Sequence, residues 1–213
     1  MTTVHICTGG LLDVWPDLKA GDKLIGVDAG ALRLLEAGYR PDVAVGDFDT
    51  IGEAGVERLL EAGITLEQFP AAKDATDTEI ALETALGYQP TGIKVYGAIG
   101  SRMDHTLANL QLLWKAHSQG VWMEIINRQN HVRLLSERFT GCVVERGEYE
   151  FFSLIPVSAE VTGITLTGFL YPLQEAVITL GSSLGVSNQL LGERGRVEIK
   201  SGAVYLIASC DLV

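Results

Sequence analysis

Basic charge is scarce in this 213-residue chain: 16 Lys and Arg stand against 27 Asp and Glu, a net charge of −11 and a pI near 4.8. That balance speaks against a nucleic-acid binder, which needs a basic footprint over the phosphates. Long apolar runs are absent as well, and none approaches the roughly 18–20 residues that span a bilayer as a helix, so no membrane segment is expected. The opening MTTVHICTGG carries no basic stretch followed by an apolar signal core, and no secretory leader is expected. Cysteine is both rare and odd in number. Cys7, Cys142 and Cys210 lie in apolar runs without CxxC or Cys/His metal spacing, and read as reduced core residues of a cytoplasmic protein. Several signatures are missing too. Without GxxxxGK[ST] or GxGxxG the chain has neither a P-loop nor a dinucleotide fingerprint. No GxSxG nucleophile elbow and no HExxH is read, which argues against a serine hydrolase and a zinc peptidase.

What is present falls into two textures. Up to about residue 120, short β-branched runs (VHICTG, KLIGVDAG, DVAVGDFD, ITLEQFP, TGIKVYGAIG) alternate with helical patterns at 31–37, 54–62, 78–86 and 105–117. In the last of these, Leu107, Leu110, Leu113 and Trp114 recur at helical spacing. Strand-then-helix alternation with apolar strands predicts a mostly parallel, Rossmann-like sheet covered on both faces. Such sheets bind ligands beyond the carboxyl ends of their strands, where the polar motifs of this chain sit. After about Val121, eight strand-like runs follow at near ten-residue spacing with turn residues between them. They read as an antiparallel sandwich or small barrel. The expected division is an α/β domain over residues 1–125 and a β-sandwich over 126–213.

Four strand-to-helix junctions carry chemistry. Gly46-Asp47-Phe48-Asp49 follows a strand, and on an extended backbone Asp47 and Asp49, at i and i+2, would point to one side. Hard oxygens so spaced suit Mg²⁺, which takes one or two carboxylates plus substrate phosphates; the plainer alternative is a solvated acidic turn. Lys73-Asp74-Ala75-Thr76-Asp77-Thr78-Glu79 opens a helix, where Thr76 or Asp77 can serve as the N-cap. Capping does not account for three carboxylates and a lysine within seven residues, and a helix N-terminus is a place for polyphosphate. Gly97-Ala98-Ile99-Gly100-Ser101-Arg102-Met103-Asp104-His105 offers close backbone approach and a guanidinium for phosphate oxygens, with Asp104 also a candidate cap. Asp28-Ala29-Gly30-Ala31 is the weakest alone. The charge is uneven in the same sense: between Arg40 and Ile80 ten acidic residues stand against three basic ones.

Taken in order, VDAGALRLLEAGYRPDVAVGDFDTI, KDATDTEIAL and GAIGSRMDHTLANLQLL, joined later by SLIPVS, ITLTGFLYPL and GVSN, resemble the thiamine pyrophosphokinase family over most of the chain. The resemblance implies an α/β nucleotide domain followed by a β-sandwich that completes a thiamine site, usually in a homodimer. It implies the reaction ATP + thiamine → AMP + thiamine diphosphate, with attack of the thiamine hydroxyl on the β-phosphorus. Carried over by motif, Asp47, Asp49, Asp77 and Arg102 are the catalytic set. The three aspartates are also the metal positions. Asp28, Gly30, Ala31, Asp74, Thr76, Asp104 and His105 fall on the nucleotide side. Ser187 and Asn188 match the thiamine pocket. Tyr171 and Tyr205 stand in for an aromatic partner of the pyrimidine ring, although either can equally be a core residue. ATP and thiamine are the implied partners, Mg²⁺ the implied ion. Two other classes remain open: a Mg-dependent nucleotide or phosphate-ester hydrolase, and a non-catalytic nucleotide or thiamine sensor.

Overall fold

The computed structural model describes residues 2–70 and 74–211, and the chain divides into two compact units, Met1–Arg128 and Gln129–Val213. In the first, β1 (Thr3–Cys7), β2 (Lys23–Val27), β3 (Val43–Gly46), β4 (Thr65–Gln68), β5 (Gly92–Tyr96) and β6 (Trp122–Ile126) pair in parallel in the order β4-β3-β2-β1-β5-β6. The connecting helices are α1 (Ala29–Glu36), α2 (Gly52–Glu61), α3 (Asp77–Gly87) and α4 (Met103–Ser118). All four begin one or two residues before the ranges read from the sequence, the usual margin for a helix end. The central strands β1, β2 and β3 are buried almost throughout. That burial is what near-continuous apolar runs require in a parallel sheet. Strand order reverses at β1, whose neighbours are β2 on one side and β5 on the other, so a crevice opens beyond the carboxyl ends of β1 and β5.

Helix α4 corrects the expected apolar face. Asn109, Leu112, Leu113 and Ala116 are buried, whereas Leu107 and Trp114 are about half exposed. Two stripes at helical spacing exist on this helix, and the sheet takes the one that carries Asn109.

The second unit holds β7 (Asn130–Ser136), β8 (Gly141–Glu145), β9 (Phe151–Pro156), β10 (Glu160–Thr167), β11 (Leu173–Thr179), β12 (Arg194–Glu198) and β13 (Ala203–Ser209). They form two antiparallel arrays, β7-β13-β9 and β11-β10-β12-β8, which is the expected β-sandwich. Alternation sorts the side chains. On β12 the exposed Arg194 and Arg196 pair with Glu145 and Glu198, while Val197 points into the core. Phe152 meets Phe169 edge-on, with ring centroids 5.8 Å apart. Of the cysteines only Cys7 is a core residue, where burial pushes its thiol up to about 12; Cys142 and Cys210 are half-buried, and none of the three is in a disulfide.

Candidate active site

The crevice at the strand-order reversal is a cleft of about 300 Å³, lined by the loops after β1, β2 and β5 and by the first turns of α3 and α4. Its floor is tightly built. The Thr8 amide donates to the Tyr96 carbonyl at 2.9 Å, joining the two loops that flank the reversal. Gly10 passes so close to Gly97 that a Cβ there would lie 2.0 Å from the Gly97 carbonyl oxygen, so no other residue fits. Arg33 of α1 donates to the carbonyls of both Gly9 and Gly10. On the β5 side, Asn109 donates from Nδ2 to the Ala98 carbonyl at 2.8 Å, and the Thr106 hydroxyl bonds the Gly100 backbone. Thr8-Gly9-Gly10, Thr106 and Asn109 were not singled out from the sequence, although TGG directly after the first strand was a readable signal.

Helix α3 supplies one wall. Thr76 is its N-cap, accepting the Glu79 amide at 3.2 Å, which leaves Asp77 half-buried in the cleft. Lys115 of α4 pairs with Glu79 at 2.9 Å and with Glu83, tying the two helices whose N-termini face the cleft. Asp74 is exposed before the cap, and Lys73 lies outside the described residues.

Arg102 and His105 line the cleft, and Asp104 is the partner of Arg102: Nη2 lies 2.6 Å and Nε 3.2 Å from the two carboxylate oxygens. The guanidinium, helped by the His105 amide, holds the Asp104 carboxyl at about 2 against an ordinary 3.8. Because the folded value is depressed, this contribution is complete above the ordinary carboxylate range and disappears as pH falls through about 2. A carboxyl-carbon NMR titration should therefore place Asp104 near 2, and Arg102→Ala should move the midpoint up toward the ordinary value. A midpoint unmoved by that substitution would contradict the pairing.

The Gly46–Asp49 turn departs from the extended form. Phe48 has a left-handed φ of 62° and is buried against Ala31, Ala44, Leu59 and Ile64. With the ring sunk into the core, Asp47 is left half-buried and Asp49 exposed, and the Asp49 amide donates to Asp47 Oδ1 at 3.2 Å. Asp47 borders a separate depression beside α2, whereas Asp77 and Asp28 line the cleft. Among the described residues no three His, Cys, Asp or Glu side chains form a metal cage. The donor set fits Mg²⁺ held by one or two carboxylates and completed by phosphate oxygens, not a preformed all-protein site. Gly30 and Ala31 are packed inside α1 against the strands and do not border the cleft.

In the second unit, Ser187 is exposed with φ 58°, and its amide donates to Ser153 Oγ. Asn188 is buried and its amide is spent within the protein: Oδ1 accepts the Tyr171 and Gln189 amides and Nδ2 donates to the Tyr171 carbonyl. Tyr171 is thereby held at the surface, 64% exposed, while Tyr205 is a core residue of β13 at 8%. The string Gly181-Ser182-Ser183-Leu184-Gly185 does match GxSxG, but it lies in a loop with no helix after it, so it is not a nucleophile elbow.

Residues 16–125 match the family model "Thiamin pyrophosphokinase, catalytic domain", and residues 142–204 match "Thiamin pyrophosphokinase, vitamin B1 binding domain". A thiamine pyrophosphokinase of Bacillus subtilis is 38% identical, the alignment covering 99% of this chain and all of that one. The crystal structure of a Bacillus subtilis thiamine pyrophosphokinase superposes with a TM-score of 0.91 at 38% identity, over 99% of this chain and 100% of that one. That of the Geobacillus thermodenitrificans thiamin pyrophosphokinase superposes with a TM-score of 0.86 at 37% identity, covering 98% of each chain. Among the described residues no helix is long and apolar enough to cross a membrane. With both domain models matched in order and a relative of this similarity over its full length, the chain is an enzyme of the thiamine pyrophosphokinase family.

Proposed function

We propose that this chain transfers the pyrophosphoryl group of ATP to the hydroxyl of thiamine, giving thiamine diphosphate and AMP, and that the reaction depends on Mg²⁺. The observation that carries the reading is the cleft itself. Two helix N-termini, glycine backbone from two loops, a guanidinium and the Asp77 carboxylate meet at the strand-order reversal of a chain with this family membership. Residues 1–125 would form the nucleotide-binding catalytic domain and 126–213 the thiamine-binding one.

In this reading the N-terminal turn of α3 and the backbone of the Gly97–Ser101 loop receive phosphate oxygens. Arg102 exchanges its exposed Asp104 partner for them, as a planar guanidinium can do without rebuilding its surroundings. Asp47, Asp49 and Asp77 would hold Mg²⁺, which when bound supplies charge neutralisation at the phosphates. The thiamine oxygen forms a bond to the β-phosphorus as the bridging bond to the α-phosphoryl oxygen breaks in line. AMP leaves with that electron pair, and the hydroxyl proton passes to a carboxylate, for which Asp77 is placed in the cleft. Positioning supplies most of the rate in such transfers. On the thiamine side, exposed Tyr171 and Ser187 offer a ring and a hydroxyl. A homodimer is part of the same proposal, supported by apolar side chains left exposed in the second unit, such as Leu184 and Leu191. So is a cytoplasmic location, supported by three cysteines held outside any disulfide.

Incubation of the full chain with ATP, Mg²⁺ and thiamine, with chromatography of the products, tests the reading. AMP and thiamine diphosphate should appear in equal amounts and only when thiamine is present. Release of phosphate or AMP without thiamine would overturn it in favour of a hydrolase.

A further inference from the structure

Helix α1 presses on the end of β1: a Cβ at Gly30 would lie 2.3 Å from the Cys7 carbonyl oxygen and 2.6 Å from that of Thr8. So close an approach needs a residue without a side chain, and it brings the exposed Arg33, one turn on, to the loop that follows β1. There Arg33 Nη1 donates to the Gly9 carbonyl at 2.8 Å and also to the Gly10 carbonyl. Gly9 and Gly10 line two cavities. One is the cleft at the strand-order reversal, and the other is a depression that they share with Leu11, Leu12, Trp15 and Arg33. Arg33 lines the depression and not the cleft, so both carbonyls are drawn to the depression side. In a trans peptide the N–H points opposite to the carbonyl of the residue before it. The N–H groups of Gly10 and Leu11 are therefore turned away from Arg33. The Gly10 amide shows the result: it faces Thr8 Oγ at 3.5 Å, and Thr8 lines the cleft and not the depression. Successive N–H groups on one side of a turn form a concavity that favours anions.

We propose that Arg33 is a positioning residue for the nucleotide: from outside the cleft it holds the Gly9 and Gly10 carbonyls, and so presents the Gly10 and Leu11 amides to phosphate oxygens. The proposal rests on the thiamine pyrophosphokinase reading for the identity of the phosphate compound; the hydrogen bonds of Arg33 are independent of it. Glycine backbone turns easily, and a loop of two glycines holds one orientation only when something outside it does the holding. Without the guanidinium the two peptides can rotate, and a rotated peptide offers a phosphate its carbonyl oxygen in place of its N–H.

Two variants of the full chain test this: Arg33→Met keeps most of the stem and removes the donors, and Arg33→Lys keeps both the charge and several donors. In kinetics with ATP and thiamine each varied, Arg33→Met should raise the ATP KM about tenfold and leave the thiamine KM within about twofold. Arg33→Lys should return the ATP KM to within about threefold of the parent. Calorimetric titration with inorganic tripolyphosphate should show the same loss of about tenfold for Arg33→Met. The ratio of parent to variant should persist at about 0.5 M salt, where a distant charge is screened and a fixed amide is not. An ATP KM unchanged by Arg33→Met would overturn the proposal. So would a ratio that vanishes at high salt, because long-range charge would then be the cause. An equal rise of both KM values with an earlier denaturant midpoint would overturn it as well, since the fold and not the loop would have changed. A parent protein without transferase activity would instead overturn the functional reading, with the tripolyphosphate titration still deciding the role of Arg33.

Discussion

Replacing Asp47 by Asn should lower kcat by at least about a hundredfold, roughly 2.7 kcal/mol of barrier, and raise the Mg²⁺ requirement. The turn explains why the change is clean. Asp47 accepts the Asp49 amide at 3.2 Å and its own carbonyl accepts Gln68 Nε2 at 3.3 Å, and an Asn side chain preserves both contacts. What goes is the charge, on a side chain that the buried Phe48 ring keeps turned away from the core. Stability should stay within about 0.5 kcal/mol, as for surface substitutions that break no buried contact. Activity assays at graded Mg²⁺ and a denaturant unfolding curve check both halves. Near-normal turnover with an unaltered metal response would remove Asp47 from the proposed metal set.

That prediction survives although the geometry first expected for the pair does not. An i, i+2 pair shares a side only on an extended strand, and β3 stops at Gly46. The cause is Phe48, whose apolar ring gains more from the core beside Leu59 and Ile64 than the backbone loses by adopting positive φ. No local pattern announces that trade, because it depends on where α2 lands. Local chemistry was readable elsewhere. Thr76 caps α3 as its position before a helical pattern implies, and the runs after Val121 each became a strand. Features that need the topology were not readable. Thr8-Gly9-Gly10 matters because β1 and β5 are neighbours across the reversal, a fact of strand order absent from either segment alone. Helix α4 shows the same limit in miniature: two stripes were available, and burial chose the one that brings Asn109 to the Ala98 carbonyl. At Arg102 a readable residue had an unforeseen partner, Asp104 two positions on, so the guanidinium proposed for phosphate sits in an exposed ion pair that salt screens.

Asn188→Ala should cost about 1–3 kcal/mol of unfolding free energy in the second unit, because two part-buried backbone groups of Tyr171 lose their partner at once. The amide is 5% exposed and bridges two loops: it takes the Tyr171 N–H at 3.0 Å and gives to the Tyr171 carbonyl at 2.7 Å, while its own backbone pairs with Phe152. Asn188→Asp should fare little better, since an oxygen would then face the Tyr171 carbonyl where a donor stood. If Tyr171 contributes to the thiamine pocket, loosening its loop should raise the thiamine KM by about tenfold and leave the ATP KM within about twofold, as expected when a pre-positioned contact is lost. Denaturant unfolding and paired KM measurements decide the matter. A stable variant would contradict the staple; a destabilised one with unchanged thiamine KM would leave Asn188 as a staple and take Tyr171 out of the pocket. Either result bears on the proposed thiamine site, for Ser187 is exposed whereas the Asn188 side chain is bonded to the Tyr171 backbone.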